Sequence, residues 1–110
     1  EKTKAMILNA TDTDCVVTGY SRNMGVSCLA NDFTRQYLEA EISGAPKETL
    51  LAMGTGRSRK GMKEGDIVNG SVMAGESLNV LTDILPCKEV IERIIRDANA
   101  ALARAESLML

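Results

Sequence analysis

Apolar residues recur at helical spacing over most of this chain, and one short β-branched run breaks the pattern. The stripe Val90, Ile91, Ile94, Ile95, Ala98, Ala101 and Leu102 repeats at three- and four-residue steps, with Lys88, Glu89, Glu92, Arg93, Arg96 and Asp97 on other faces. This predicts a long amphipathic helix opened by Pro86, where a missing N–H costs nothing, with Glu89–Arg93 and Glu92–Arg96 as i,i+4 pairs. Between Ser27 and Ser43 the positions Leu29, Phe33, Tyr37, Leu38 and Ile42 follow the same period, predicting a second helix that stops at Gly44. Pro46 restarts the chain into a short helix through Leu50, Leu51 and Met53 that ends at Gly54. Residues 3–10 read as the end of a helix, and Ser71 as the cap of another running through Val72, Met73, Leu78, Val80 and Leu81 towards Ile84.

The exception is DCVVT at 14–18, bounded by Asp14 and Gly19, which predicts a strand, and residues 19–27 read as a loop. Residues 54–70 hold five of the nine glycines and are expected to be irregular, with one helical turn around 57–63. The fold class is therefore mainly α: four or five helices, at most one or two short strands, and no internal repeat.

Composition narrows the core. The 110 residues are 45% hydrophobic and 25% charged, an ordinary globular balance, yet they include one Phe, two Tyr and no Trp. Leu, Ile, Val, Met and Ala must build an aliphatic core that burial of roughly 65% of the unfolded surface leaves marginal. A net charge of −2 supplies no field for nucleic acid or an anionic membrane, and no apolar run approaches the roughly 20 residues of a membrane span. Cys15, Cys28 and Cys87 are odd in number and widely spaced, as expected of reduced thiols in a cytoplasmic protein. Histidine is absent, which removes the commonest general base and zinc ligand together. A start at Glu1 reads as a processed or partial chain.

Two stretches invite chemistry. In GTGRSRKG (54–61), glycines beside Arg57, Arg59 and Lys60 suit either a solvated turn or an anion site, but the spacing completes neither a Walker A motif nor GxGxxG. In GSVMAGE (70–76), small residues allow close approach to the backbone, by a ligand or by another helix. Asp12 with Asp14, and Glu39 with Glu41, read as solvated charges. The methionines Met24, Met53, Met62 and Met73 read as packing residues.

Taken in order, Val17-Thr18-Gly19, LANDFTRQYLEAE (29–41), Gly44-Ala45-Pro46, MGTG (53–56), EGDIVNGSVMAG (64–75) and PCKEVIERII (86–95) carry a resemblance. They resemble, over about residues 4–100, the C-terminal part of the FMN-dependent nitronate monooxygenase (2-nitropropane dioxygenase) / enoyl-acyl-carrier-protein reductase II family. The resemblance implies a (β/α)8 barrel with a helical domain over its mouth, of which only that smaller domain and the chain's return into the final barrel helices lie in this chain. An eight-stranded barrel needs about 200 residues or more. It implies the end of a barrel helix and a short extended segment at 1–20, a helical substrate-side domain at 21–85 and a C-terminal amphipathic helix at 86–110. It also implies that Ser71, Val72, Met73, Ala74, Gly75 and Glu76 approach the flavin ring and substrate, with FMN held by the barrel portion and NAD(P)H as a donor.

Two departures accompany the resemblance. Where the family carries Gly-His-Pro-x-Arg, this chain has Asn23, Met24, Gly25, Val26 and Ser27, and the family's Met-Ala-Gly-Gln ends here in Glu76. An ionised Glu donates no hydrogen bond. The implied function is a non-catalytic portion or subunit of an FMN-dependent oxidoreductase, partnered by the barrel or by a second copy. The alternative is a helical interaction module that has lost the chemistry.

Overall fold

The structure, a computed structural model, describes residues 1–109. Helix α1 (Lys2–Asn9) leads through a 3₁₀ turn at Asp12–Asp14 into strand β1 (Cys15–Thr18), and β2 (Val26–Leu29) returns antiparallel, Cys15 opposite Leu29 and Thr18 opposite Val26. Helices α2 (Asp32–Ile42), α3 (Lys47–Gly54) and α4 (Arg57–Met62) follow. An extended segment and a 3₁₀ turn at Glu76–Val80 then lead to α5 (Cys87–Leu108). The content is mainly α around one open two-stranded sheet, as the periodicity predicts. The helical turn expected near 57–63 is α4.

Two expected helices are displaced. The helix expected from Ser27 begins at Asp32, because Asn31 is the stronger cap. Its Oδ1 accepts the Thr34 amide at 2.9 Å, while Thr34 Oγ1 accepts the Asn31 amide at 2.8 Å, a reciprocal box that satisfies two terminal donors. Leu29, in helical phase with Phe33, is instead a strand residue.

Nor does Ser71 cap a helix towards Ile84. Residues 71–74 run extended beside β2: the Leu29 amide donates to Val72 O at 2.9 Å, the Ala74 amide to Ser27 O at 3.2 Å, and Cys28 pairs with Met73. The free edge of β2 offers backbone donors and acceptors that a strand can satisfy and a helix cannot. That tertiary demand overrides the helical phase of Val72, Met73 and Leu78.

The buried residues form two cores. Leu29, Val72 and Leu78 pack with Met6, Ile7 and Cys15 in the first. Phe33, Tyr37 and Leu50 pack with Ala40 and Met53 between α2 and α3. The single Phe and one of the two Tyr anchor the second core, their rings 5.8 Å apart and tilted by 59°.

Helix α5 stands apart and has no buried residue; Ile91, Ile94, Ile95 and Leu102 of its apolar stripe are 58–62% exposed. The expected pairs Glu89–Arg93 and Glu92–Arg96 are not formed. Arg93 reaches Asp83 at 2.7 Å, which raises the Arg93 pKa, while Lys88 approaches Glu92 and Arg96 turns to Asp97. The radius of gyration is 17.9 Å, against about 13 Å for a compact domain of this length. Among the described residues no helix is long and apolar enough to cross a membrane.

Candidate functional site

The segment 70–75 is fastened from three directions. Asn31, already the cap of α2, donates through Nδ2 to Ile67 O at 2.9 Å and to Gly70 O at 2.7 Å. The Ser71 amide donates to Arg57 O at 2.8 Å. Helix α4 touches the segment backbone to backbone: a Cβ on Gly61 would lie 2.5 Å from Ser71 O, and one on Gly70 would strike the Gly61 backbone and Asp66 O. Asp66 closes the preceding turn by accepting the Asn69 and Val68 amides. Those bonds, the Asn69 amide foremost, hold its carboxyl below the ordinary carboxylate range.

Strand alternation then distributes the expected site residues over two faces. Val72 and Ala74 turn into the first core. Ser71 is 7% exposed and lines a cleft on the opposite face; Met73 is 45% exposed; Gly75 and Glu76 are exposed at the far end. A Cβ on Gly75 would meet nothing within 4 Å, so this backbone is open to a flat group. Met73, Gly75 and Glu76 thus present an accessible rim, whereas Ser71 belongs to the cleft and Ala74 to the core.

That cleft, about 240 Å³, lies between the β-hairpin, α2 and α3 and includes Thr18, Gly19, Arg22, Met24, Tyr37 and Ser71 in its walls. The loop carrying Arg22 is wound by left-handed Gly19 (φ 81°) and Asn23 (φ 54°) around a 3₁₀ turn at Tyr20–Arg22. Glu41 closes it from α2, accepting the Gly19 amide at 3.1 Å, the Ser21 amide at 3.0 Å and the Ser21 hydroxyl at 2.6 Å. Partial burial alone would raise the Glu41 pKa, but the Ser21 and Gly19 bonds and the Arg22 charge together hold it below the usual range. Glu41 is therefore a loop clamp rather than a solvated charge. Asp14, held low by the Thr11 amide and hydroxyl, likewise has a local partner.

The three cations of the basic stretch 54–61 lie on helix α4 rather than in a turn, and each has a protein partner. Arg57 donates to Met53 O at 3.0 Å and Asn69 O at 2.9 Å and lies over the Phe33 ring at 5.1 Å. Arg59 pairs with Glu64, and Lys60 with Asp66. The Cys28 thiol is buried, which pushes its pKa up and leaves it inert; Cys15 and Cys87 are also free thiols. Among the described residues no cluster of Cys, Asp or Glu could hold a metal ion. Sequence patterning missed the Arg22–Tyr37 contact and the Glu41 clamp because those partners lie 15 to 22 residues away.

No protein-family model and no curated protein matches the chain. Solved structures do. FabK from Thermotoga maritima superposes on 98% of the chain with a TM-score of 0.88 and 28% identity, and an M276A mutant of that protein does so with a TM-score of 0.79 and 26% identity over 98%. The chain spans about a third of those proteins, 34% and 31% respectively. It is thus structurally homologous to part of FabK, an FMN-dependent enoyl-acyl-carrier-protein reductase II, of the family that its sequence resembles.

Proposed function

We propose that this chain supplies the flavin- and substrate-side wall of an FMN-dependent oxidoreductase of the enoyl-thioester reductase type, and that it does not turn over substrate by itself. One observation carries the reading: nearly all of the chain superposes on a third of FabK while α5 leaves most of its apolar stripe, Ile91, Ile94, Ile95 and Leu102, uncovered. A stripe of that size in water calls for a large apolar neighbour, the role that a barrel portion would fill. Nitronate oxidation stands second, since both named neighbours are FabK.

The residues present fit one part of FMN. Met73 and Gly75 offer an exposed apolar side chain and a bare backbone against which a planar ring can lie. Glu76, when ionised, accepts hydrogen bonds only, and the segment carries no cation for a phosphate. The turns that bind the flavin phosphate and the histidine used by the family would then come from the partner portion, as would the binding surface for NAD(P)H. FMN supplies the electron transfer when bound; the rim of Met73, Gly75 and Glu76 orients substrate and excludes water. The open face of α5 also suits the second reading, an interaction module without flavin.

Native mass and a flavin absorption spectrum on one sample test both. A yellow species well above 11.8 kDa is expected. Stoichiometric FMN on the 110 residues alone overturns the need for a partner, and a flavin-free native assembly overturns the oxidoreductase reading in favour of the module.

A further inference from the structure

We propose that the cleft between the β-hairpin, α2 and α3 is a binding site for a small monocarboxylate with a short apolar tail, clamped by Arg22. Its cation is uncommitted. Arg35, Arg59, Arg93 and Arg96 pair with carboxylates, and Arg57 is used by two carbonyls and a ring. Arg22 has only long contacts, Nη1 to Tyr37 Oη at 3.4 Å and Nη2 to Met24 Sδ at 3.6 Å. Among the described residues no carboxylate oxygen reaches it within 4.0 Å. A half-buried guanidinium with unused planar donors matches a carboxylate in bidentate geometry.

The loop is built in advance to hold that cation. Gly19 and Asn23 wind it in left-handed backbone on both sides of Arg22, a Cβ on Gly19 would lie 2.6 Å from Met24 O, and Glu41 fixes three donors at its base. Ordering a ligand there costs little extra loop entropy. The lining beyond the guanidinium is mostly apolar, with Met24, Val26 and Leu51, and includes Thr18, Ser58 and Ser71. Apolar walls around one cation call for an anion at one end of the ligand and hydrocarbon at the other.

Size and charge narrow the class. At about 240 Å³ the cleft exceeds an engineered cavity of about 150 Å³ that takes benzene and falls below common drug-sized sites, so a ligand of roughly ten heavy atoms fits. Arg22 brings a single positive charge, and the nearby Glu41 carboxylate offsets part of it, so the cleft suits a monoanion and repels a second negative charge. This favours a carboxylate over a phosphate dianion.

Hexanoate is the probe, with 1-hexanol as its uncharged counterpart and hexyl phosphate as the dianion, followed by amide and guanidinium NMR shifts on the full chain. Hexanoate should shift Arg22 Nε–H and the Gly19 and Ser58 amides saturably, and bind more tightly than either counterpart. Arg22→Gln should weaken it roughly tenfold to a hundredfold, and Arg22→Lys less, since a point charge survives without the fork. Phenylglyoxal labelling read by peptide mapping gives an answer on the unmutated protein in whatever assembly it purifies. Hexanoate should slow modification of Arg22 and leave Arg35 unaffected. Equal labelling of Arg22 with and without hexanoate overturns the proposal, as does binding of 1-hexanol or hexyl phosphate at least as tight as that of hexanoate. None of these readouts depends on flavin, so they stand apart from the oxidoreductase reading.

Discussion

Replacing Gly61 by alanine separates a solvated basic loop from a helix docked on a strand, because the two readings predict opposite signs. In an exposed helix, Gly→Ala gains about 0.5–1 kcal/mol through lower unfolded-chain entropy. Gly61 is instead buried, and the new methyl would sit 2.5 Å from Ser71 O and 2.8 Å from Ser71 C, about 1 Å inside the usual contact distance of about 3.5 Å. Those are backbone atoms, and the Ser71–Arg57 and Asn31–Gly70 hydrogen bonds hold them in place. Relief requires α4 to lift from residues 70–71 as a unit. Overpacking of this kind costs about 1–3 kcal/mol, so a net loss of about 1–2 kcal/mol is expected after the entropic gain. Urea unfolding followed by far-UV circular dichroism measures it, as a lower midpoint at unchanged slope. Gly75→Ala is the control: it has open space and ordinary φ, and should be neutral or slightly stabilising. A Gly61→Ala chain as stable as its parent would refute the close approach of α4 to Ser71.

Other expectations follow from single residues. Asn31→Ala removes the α2 cap and both bonds that anchor the 67–70 turn, and should cost about 2 kcal/mol or more in the same assay. Because the folded Glu41 carboxyl titrates below its unfolded value of about 4.3, it contributes stability above that pH and loses it as pH falls through the lower folded value. Asp14 and Asp66 add to the same window, so the reading is the difference between the parent chain and Glu41→Gln, which should narrow below about pH 4. Ile94→Lys, on the uncovered face of α5, should change the stability of the chain by less than about 0.5 kcal/mol. In size-exclusion chromatography the same variant should lose association with the proposed barrel partner; retained association would remove α5 from that interface.

Local pattern determined much of this protein. The amphipathic period of α5, Pro46 before α3, Pro86 before α5 and the β-branched run of β1 each express a preference that a few neighbouring residues decide, and each stands where the sequence places it. Several motifs taken together also pointed to the family, since their order carries information that no single one has. What the tertiary structure alone decided is where non-local partners compete with local phase. Leu29 and Val72 have helical spacing, yet they become strand neighbours because an open edge of β2 must be paired. Glu41 has the composition of a solvated charge and becomes a clamp only because a loop 20 residues upstream folds onto α2. Gly61 and Gly70 look like flexible loop residues, and only the crossing of α4 over the strand shows that their missing side chains are what lets the two backbones meet. Spacing along a chain records the forces between near neighbours, whereas pairing of a strand edge, satisfaction of a carboxylate and contact between backbones depend on what the rest of the fold brings within reach.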